Sequence, residues 1–406
     1  MSTPSRRQPA LPTTPPAVRT LVLSLLAALV AGLLATVLAA STSGSAEAAR
    51  PRDHHHARLR IAILPPVRQP GAAVAPSGAA RSVVRVTLGP RTTGRPIELQ
   101  RRVGLKWRTI ATKKLRRGEA RFPIVADPWS VYRAVAASPR QGRVFPSRRV
   151  SQTWGEPDFV DEFEGSTLGP AWEHRIQFYN PWGGRGCSKG SPEAVSVAGG
   201  MLRLSSMPDR AAHGLCEARD ASGNSLGQFP YRLNGHVSTQ QSADFLYGVA
   251  ASRMRFPRSL GQHAAFWLQP RGLLQVGTTP WGAEVDIVEW YGARRNKNKL
   301  AIAVHKPMPD GTKHQIGGRI TDPDRYLATR ADTWWDNFHV FSVEWTPKRY
   351  VFRIDGHEVW RTHEGVSDVH EFLILSMLSN DFELPLVGSD PEPRTAEVDW
   401  VAFWER

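Results

Sequence analysis

The sequence predicts an all-β protein, a large sandwich over roughly its last 250 residues preceded by a small one. Three observations predict it. Short segments alternate apolar and polar residues over 82–137, the period of strands with one buried face, and short β-prone runs recur from there to the end. Gly, Pro and Asp turns separate them, and no long helical periodicity appears in the larger part. The charge changes sign near residue 150: residues 50–150 hold 23 Lys and Arg against 4 Asp and Glu, whereas residues 151–406 hold 26 against 32. Two units with different surface chemistry follow from that break.

Residues 1–49 read as an export signal. Arg6, Arg7 and Arg19 precede an uncharged run over 21–40, and small residues ending in Ala46-Glu47-Ala48 supply a cleavage site. The alternative is an N-terminal membrane anchor, because the run reaches the roughly 20 residues a spanning helix needs. Export implies an oxidising compartment, so the two cysteines, Cys187 and Cys216, are expected to form a disulfide. Residues 50–80, with His54, His55 and His56 and a Pro/Ala/Gly-rich stretch, read as a linker.

Residues 81–138 contain five alternating runs, at 83–88, 97–103, 107–112, 120–124 and 131–136. They resemble the immunoglobulin-like modules appended to bacterial exported enzymes, in Pro96-Ile97-Glu98-Leu99 and Val131-Tyr132-Arg133-Ala134 above all. Residues 139–154 are basic and turn-rich and read as a second linker, leaving 155–406 as a domain expected to work alone.

Within that domain, Glu284-Val-Asp286-Ile-Val-Glu289 places three carboxylates in six residues of β-prone sequence. Glu284 and Asp286 share a strand face. Glu289 has the wrong parity unless a β-bulge absorbs one residue and re-aims it. With the bulge, the outer carboxyls can approach to the roughly 5–5.5 Å of a retaining glycosidase, where one attacks the anomeric carbon and the other handles the proton. Gly186-Cys187-Ser188-Lys189-Gly190 also fits a serine-nucleophile elbow, but a strand before it and a helix after it are not visible.

The spacing E-x-D-x-x-E resembles glycoside hydrolase family 16, laminarinase group. Phe159-Val-Asp-Glu-Phe, Ala265-Phe-Trp267-Leu, Phe338-His-Val-Phe-Ser-Val-Glu-Trp345 and Val398-Asp399-Trp400 extend the resemblance in order over about 155–406. It implies a β-jelly roll, with Glu284 as nucleophile, Asp286 as its assisting acid and Glu289 as acid/base. It further implies a secreted endo-hydrolase of β-1,3- or β-1,3-1,4-glucan that needs no cofactor for chemistry. Trp267, Trp281, Trp290, Tyr291 and His305 become expected substrate-binding residues. Asp399 and the backbone at Gly200 match where many family members hold a structural Ca²⁺.

Ala283, Val285, Val288, Trp290 and Gln269 depart from the usual laminarinase pattern at or beside the cleft. A transglycosylase or galactan hydrolase of the same family, or a noncatalytic carbohydrate-binding protein, are the rival readings. The expected partners are a polysaccharide and, for the basic module, anionic cell-wall polymers. The export signal disfavours nucleic acid, and the chain is expected to be a monomer, secreted and extracellular or wall-associated.

Overall fold

Alternation within single strands builds the larger sandwich. In Glu371–Leu378, Leu373, Leu375 and Met377 enter the main core, so Phe372, Ile374 and Ser376 project from the opposite face. In Gly248–Arg255, Ala250 and Met254 enter that core, while Val249 and Ala251 belong to a second cluster on the other face. The computed structural model describes residues 59–406 apart from 90–91, 126, 128, 138–143, 152–153, 272–281, 295–296, 309 and 311. The expected export signal, His54–His56 and Trp281 therefore lie outside the described residues.

One curled, jelly-roll-like sheet carries the domain. Its pairing order is Lys313–Arg319, Lys297–Pro307, Glu284–Arg294, His263–Pro270, Glu371–Leu378 and Arg232–Ser238, which form one layer. It continues through Leu202–Pro208, Arg394–Glu405, Gly248–Arg255, His339–Thr346, Arg349–Ile354 and His357–Thr362 as the other. Phe266, Val285, Val288 and Leu375 from the first layer meet Leu204, Phe341, Phe352 and Phe403 from the second in one apolar core. Cys187 and Cys216 form a disulfide with Cα atoms 5.4 Å apart, which closes a loop worth about 3 kcal/mol by restricting the unfolded chain.

The N-terminal strands form two further sheets. Arg60–Arg68, Arg81–Thr87 and Glu119–Ile124 make one, and Lys106–Lys114, Pro96–Val103, Val131–Ala137, Val144–Pro146 and Val150–Ser151 the other. Val84, Val86, Leu99, Phe122 and Tyr132 fill the core between them.

Both expected linkers are corrected here. Residues 60–68, assigned to a linker, pair with Arg81–Thr87 because Ile63, Leu64 and Val67 supply buried apolar side chains. Residues 144–146 and 150–151 pair with Val131–Ala137, and Trp154 is buried. The segment 155–406 is also packed against the N-terminal strands. Leu64, Val67, Val83 and Trp154 share a cluster with Val249, Val340, Trp400 and Trp404 of the large sandwich.

Buried polar contacts fasten the same seam. Arg253, 1% exposed, is ion-paired with Asp399. It donates Nε to the Gln69 carbonyl at 2.7 Å, Nη2 to Gly71 at 2.9 Å and Nη1 to Ala73 at 3.1 Å. Calcium was expected at Asp399 and the Gly200 backbone; among the described residues the Asp399 carboxylate pairs with Arg253. The guanidinium neutralises the Asp399 carboxylate within this seam.

Candidate active site

The strand Glu284–Arg294 sits between His263–Pro270 and Lys297–Pro307. Against the first neighbour, Phe266 pairs with Val288 and Trp267 with Asp286, so Ile287 is the extra residue. Against the second, Asp286 pairs with Ala303 and Glu289 with Ala301, so the register shifts at the same place. Val285, Ile287 and Val288 all enter the core, and Glu284, Asp286 and Glu289 emerge together on the opposite, open face. The flanking residues are small: Ala265, Ala301 and Ala303 lie directly across from the acids. A floor of methyl groups beside the carboxylates leaves room for a sugar ring.

The electrostatics of the cluster are tightly linked. His305 Nε2 lies 3.1 Å from Asp286 Oδ2 and 4.0 Å from Glu284 Oε1. Burial pushes the Asp286 carboxyl up to about 7; the Glu289 and Glu284 charges add to the rise and the hydrogen bond with His305 opposes it. His305 is raised in turn, first by its hydrogen bond to Asp286. The two groups therefore titrate as a coupled pair. Lys313 Nζ holds Glu284 Oε2 at 3.1 Å. The ligand atoms of Glu284, Asp286 and His305 lie within 4.8 Å of one another, near enough for a divalent cation, and the same atoms are engaged by the His305–Asp286 contact and by Lys313.

Along the open face, Trp267 lies across from Asp286. Its Nε1 donates to Ser376 Oγ at 3.1 Å and its ring lies 6.0 Å from His236. Arg175 stands 5.5 Å from the Trp267 ring centre and 5.2 Å from that of Phe372, donating Nη2 to Gln269 at 3.0 Å. The close approach of Gly190 holds the Arg175 segment in place, since a Cβ there would fall 2.0 Å from the Arg175 carbonyl oxygen. Burial lowers Arg175 to about 10, leaving it charged at neutral pH. Arg185 is also lowered by burial, with Glu383 and Glu284 opposing.

Of the expected site residues, Glu284, Asp286, Glu289, Trp267, His305 and Tyr291 come together on this face. Trp290 does not and is corrected: it is 0% exposed, stacks on Phe256 at 5.6 Å and donates Nε1 to the Pro257 carbonyl at 2.7 Å. The bulge that turns Glu289 outward necessarily turns the next residue inward. Ser188 lies in a short strand, Ser188–Gly190, and donates its hydroxyl to the Ser379 carbonyl at 2.5 Å, so it makes no nucleophile elbow.

Sequence reasoning missed Arg175, Arg185, Lys313 and Glu371. The first three come from loops and an edge strand whose reach no periodicity encodes. Glu371 could have been noticed as a lone acid opening the apolar run Phe372–Leu375. Its Oε1 accepts the Ala283 N–H at 3.2 Å, just before the carboxylate strand.

Burial raises Glu371 to about 8, so the folded chain holds a proton there that the unfolded chain has released. Its contribution to stability is present at low pH and is lost as pH rises through about 8. Replacing Glu371 with Gln, which cannot ionise, is expected to raise unfolding free energy relative to the parent by roughly 2–4 kcal/mol more at about pH 8.5 than at about pH 5. Urea titrations at both pH values check this, and a constant difference contradicts it.

The fold and site together define a jelly-roll-like β-sandwich with a carboxylate cluster on its open sheet face. Residues 214–375, which include all three acids, match the family model for glycosyl hydrolases family 16. That match supports family 16 as the relationship of this segment.

The chain is 24% identical over 273 residues to Gram-negative bacteria-binding protein 3 of Drosophila melanogaster, covering 58% of this chain and 52% of that protein. It is 24% identical over 210 residues to glucan endo-1,3-beta-glucosidase A1 of Niallia circulans, covering 48% of this chain and 28% of that one. It is 25% identical over 201 residues to a beta-glucanase of Rhodothermus marinus, covering 48% and 61%. The chain thus spans only part of each of these relatives. Among solved structures, the laminarinase from Rhodothermus marinus aligns with a TM-score of 0.46 at 24% identity, covering 62% of this chain and 97% of that one.

Proposed function

We propose that this chain is an exported endo-glycoside hydrolase that cleaves a β-1,3- or β-1,3-1,4-glucan with retention of configuration. The observation that carries the reading is the bulge at Ile287, which brings Glu284, Asp286 and Glu289 onto one face beside a floor of alanines. Glu284 attacks the anomeric carbon while Glu289 gives its proton to the glycosidic oxygen, and the bond to the departing sugar breaks. Glu289, now a carboxylate, takes a proton from water, which attacks the glycosyl-enzyme and frees Glu284. Asp286 and His305 form a hydrogen-bonded pair beside the nucleophile. The chemistry draws on these side chains and water alone.

Reducing-sugar release from a panel of β-glucans and galactans tests the reading. Release from a β-1,3-linked glucan supports it, release from galactan alone moves the substrate, and release from none overturns the hydrolase.

The disulfide suits an exported chain, acting as a monomer after removal of residues 1–49. Anionic wall polymers fit the basic N-terminal unit, whose edge strand exposes Lys106, Arg108, Lys113 and Lys114. Arg133 and Arg149 lie 4.4 Å and 5.8 Å from the Trp107 ring centre beside it. Retention of the full chain on isolated cell walls is expected to fall steeply as salt is raised, because exposed charges are screened over roughly 8 Å at physiological ionic strength. Retention that ignores salt removes this role.

A further inference from the structure

The carboxylate strand presents one more functional group on its open face than the three acids. Past the bulge, parity sends Trp290 to the core and Tyr291 outward, beside Glu289. Tyr291 was expected to stack on sugar. Instead its hydroxyl donates to Glu289 Oε1 at 2.6 Å. The ring is not free to swing away: it stacks on His263 at 5.2 Å between ring centres. His263 is itself held, with Nδ1 3.2 Å from Asn380 Nδ2 and 3.6 Å from Glu383 Oε2. The Asn380 backbone N–H donates to the same Glu383 oxygen at 2.7 Å.

We propose that Tyr291 is a positioning residue for the acid/base: by holding Oε1 of Glu289 it commits Oε2 to the glycosidic oxygen. This rests on the reading of Glu289 as the proton donor.

The chemistry follows from what each oxygen can do. Burial keeps the Tyr291 phenol raised far above its usual range, the Glu289 charge adding to it, so the hydroxyl stays protonated and donates. In the first step the proton on Oε2 passes to the glycosidic oxygen, the electron pair of the breaking bond goes to that oxygen, and Glu284 forms the new bond to carbon. Negative charge builds on Glu289 as the proton leaves, and a hydrogen bond into Oε1 strengthens with it. That makes the contact stronger in the transition state than in the ground state, which is the condition for accelerating a step. The benefit exists only while the departing group needs a proton.

A pair of substrates sharing one oligosaccharide donor reads this out: one with a sugar leaving group, the other with a dinitrophenyl leaving group that departs without protonation. Tyr291→Phe in the full chain is expected to lower kcat for the sugar leaving group by about ten- to a hundredfold, as for one hydrogen bond to a charged group. KM is expected to hold, and single-turnover cleavage of the dinitrophenyl substrate to stay within about twofold of the parent. Equal slowing of both substrates, or of neither, overturns the positioning role. Glu289→Ala run alongside separates the two claims. If it too slows both substrates equally, the acid/base assignment itself has failed, and the role of Tyr291 falls with it.

Discussion

Replacing Glu284 or Glu289 with alanine is expected to lower turnover of polysaccharide by about two to four orders of magnitude or more while leaving the fold intact. Both side chains emerge on the open face, whereas the core beneath them is filled by Val285, Ile287 and Val288. Truncation therefore removes charge from the reacting centre without opening a cavity. The two losses differ in kind, and azide distinguishes them.

Without Glu284 the small anion can enter the space of the nucleophile and attack once, giving an α-glycosyl azide. Without Glu289 the covalent intermediate still forms from a substrate with an activated leaving group, and azide then attacks it from the other side to give a β-glycosyl azide. The opposite pairing of products contradicts the assignment of roles.

Replacing Asp399 with alanine is the second large effect, on stability. The carboxylate is 2% exposed and its partner Arg253 1% exposed. Removing one member of a buried ion pair typically costs about 3–5 kcal/mol, because the other charge stays behind. Three backbone carbonyls, from Gln69, Gly71 and Ala73, still solvate Arg253, which places the cost near the low end. A fall in Tm of about 6–12 °C is expected, with activity retained below it, and a change under about 2 °C contradicts the account.

A chelator added to the parent is expected to leave Tm unchanged. A clear chelator-induced fall supports a bound calcium ion instead. For the same reasons a chain beginning near Val150 is expected to lose stability, since it leaves Val249, Val340, Trp400 and Trp404 without Leu64, Val67 and Val83.

Local rules carried the reading as far as local rules reach. Two-residue alternation located the strands, and the parity conflict between Glu284 and Glu289 located the bulge, because each is decided within a few residues of chain. The same parity argument, taken one residue further, separates Tyr291 from Trp290, although both look equally suited to sugar. The Asp399 carboxylate reads in isolation as a cation ligand. Its partner lies 146 residues away in sequence and on a different strand, so no local pattern connects them. Arg175 and Lys313 likewise reach Trp267 and Glu284 from other segments of the chain, Lys313 from 29 residues away. The basic character of residues 50–150 was plain from composition, whereas the apolar seam that fastens them to the large sandwich depends on strand pairing that composition does not encode.

Retention by a carboxylate nucleophile is the central claim, and proton NMR of the first sugar released from a β-1,3-glucan tests it most directly. The account predicts that the new reducing end appears as the β-anomer and only later mutarotates to the equilibrium mixture. Initial appearance of the α-anomer would mean that water, not Glu284, attacks the anomeric carbon.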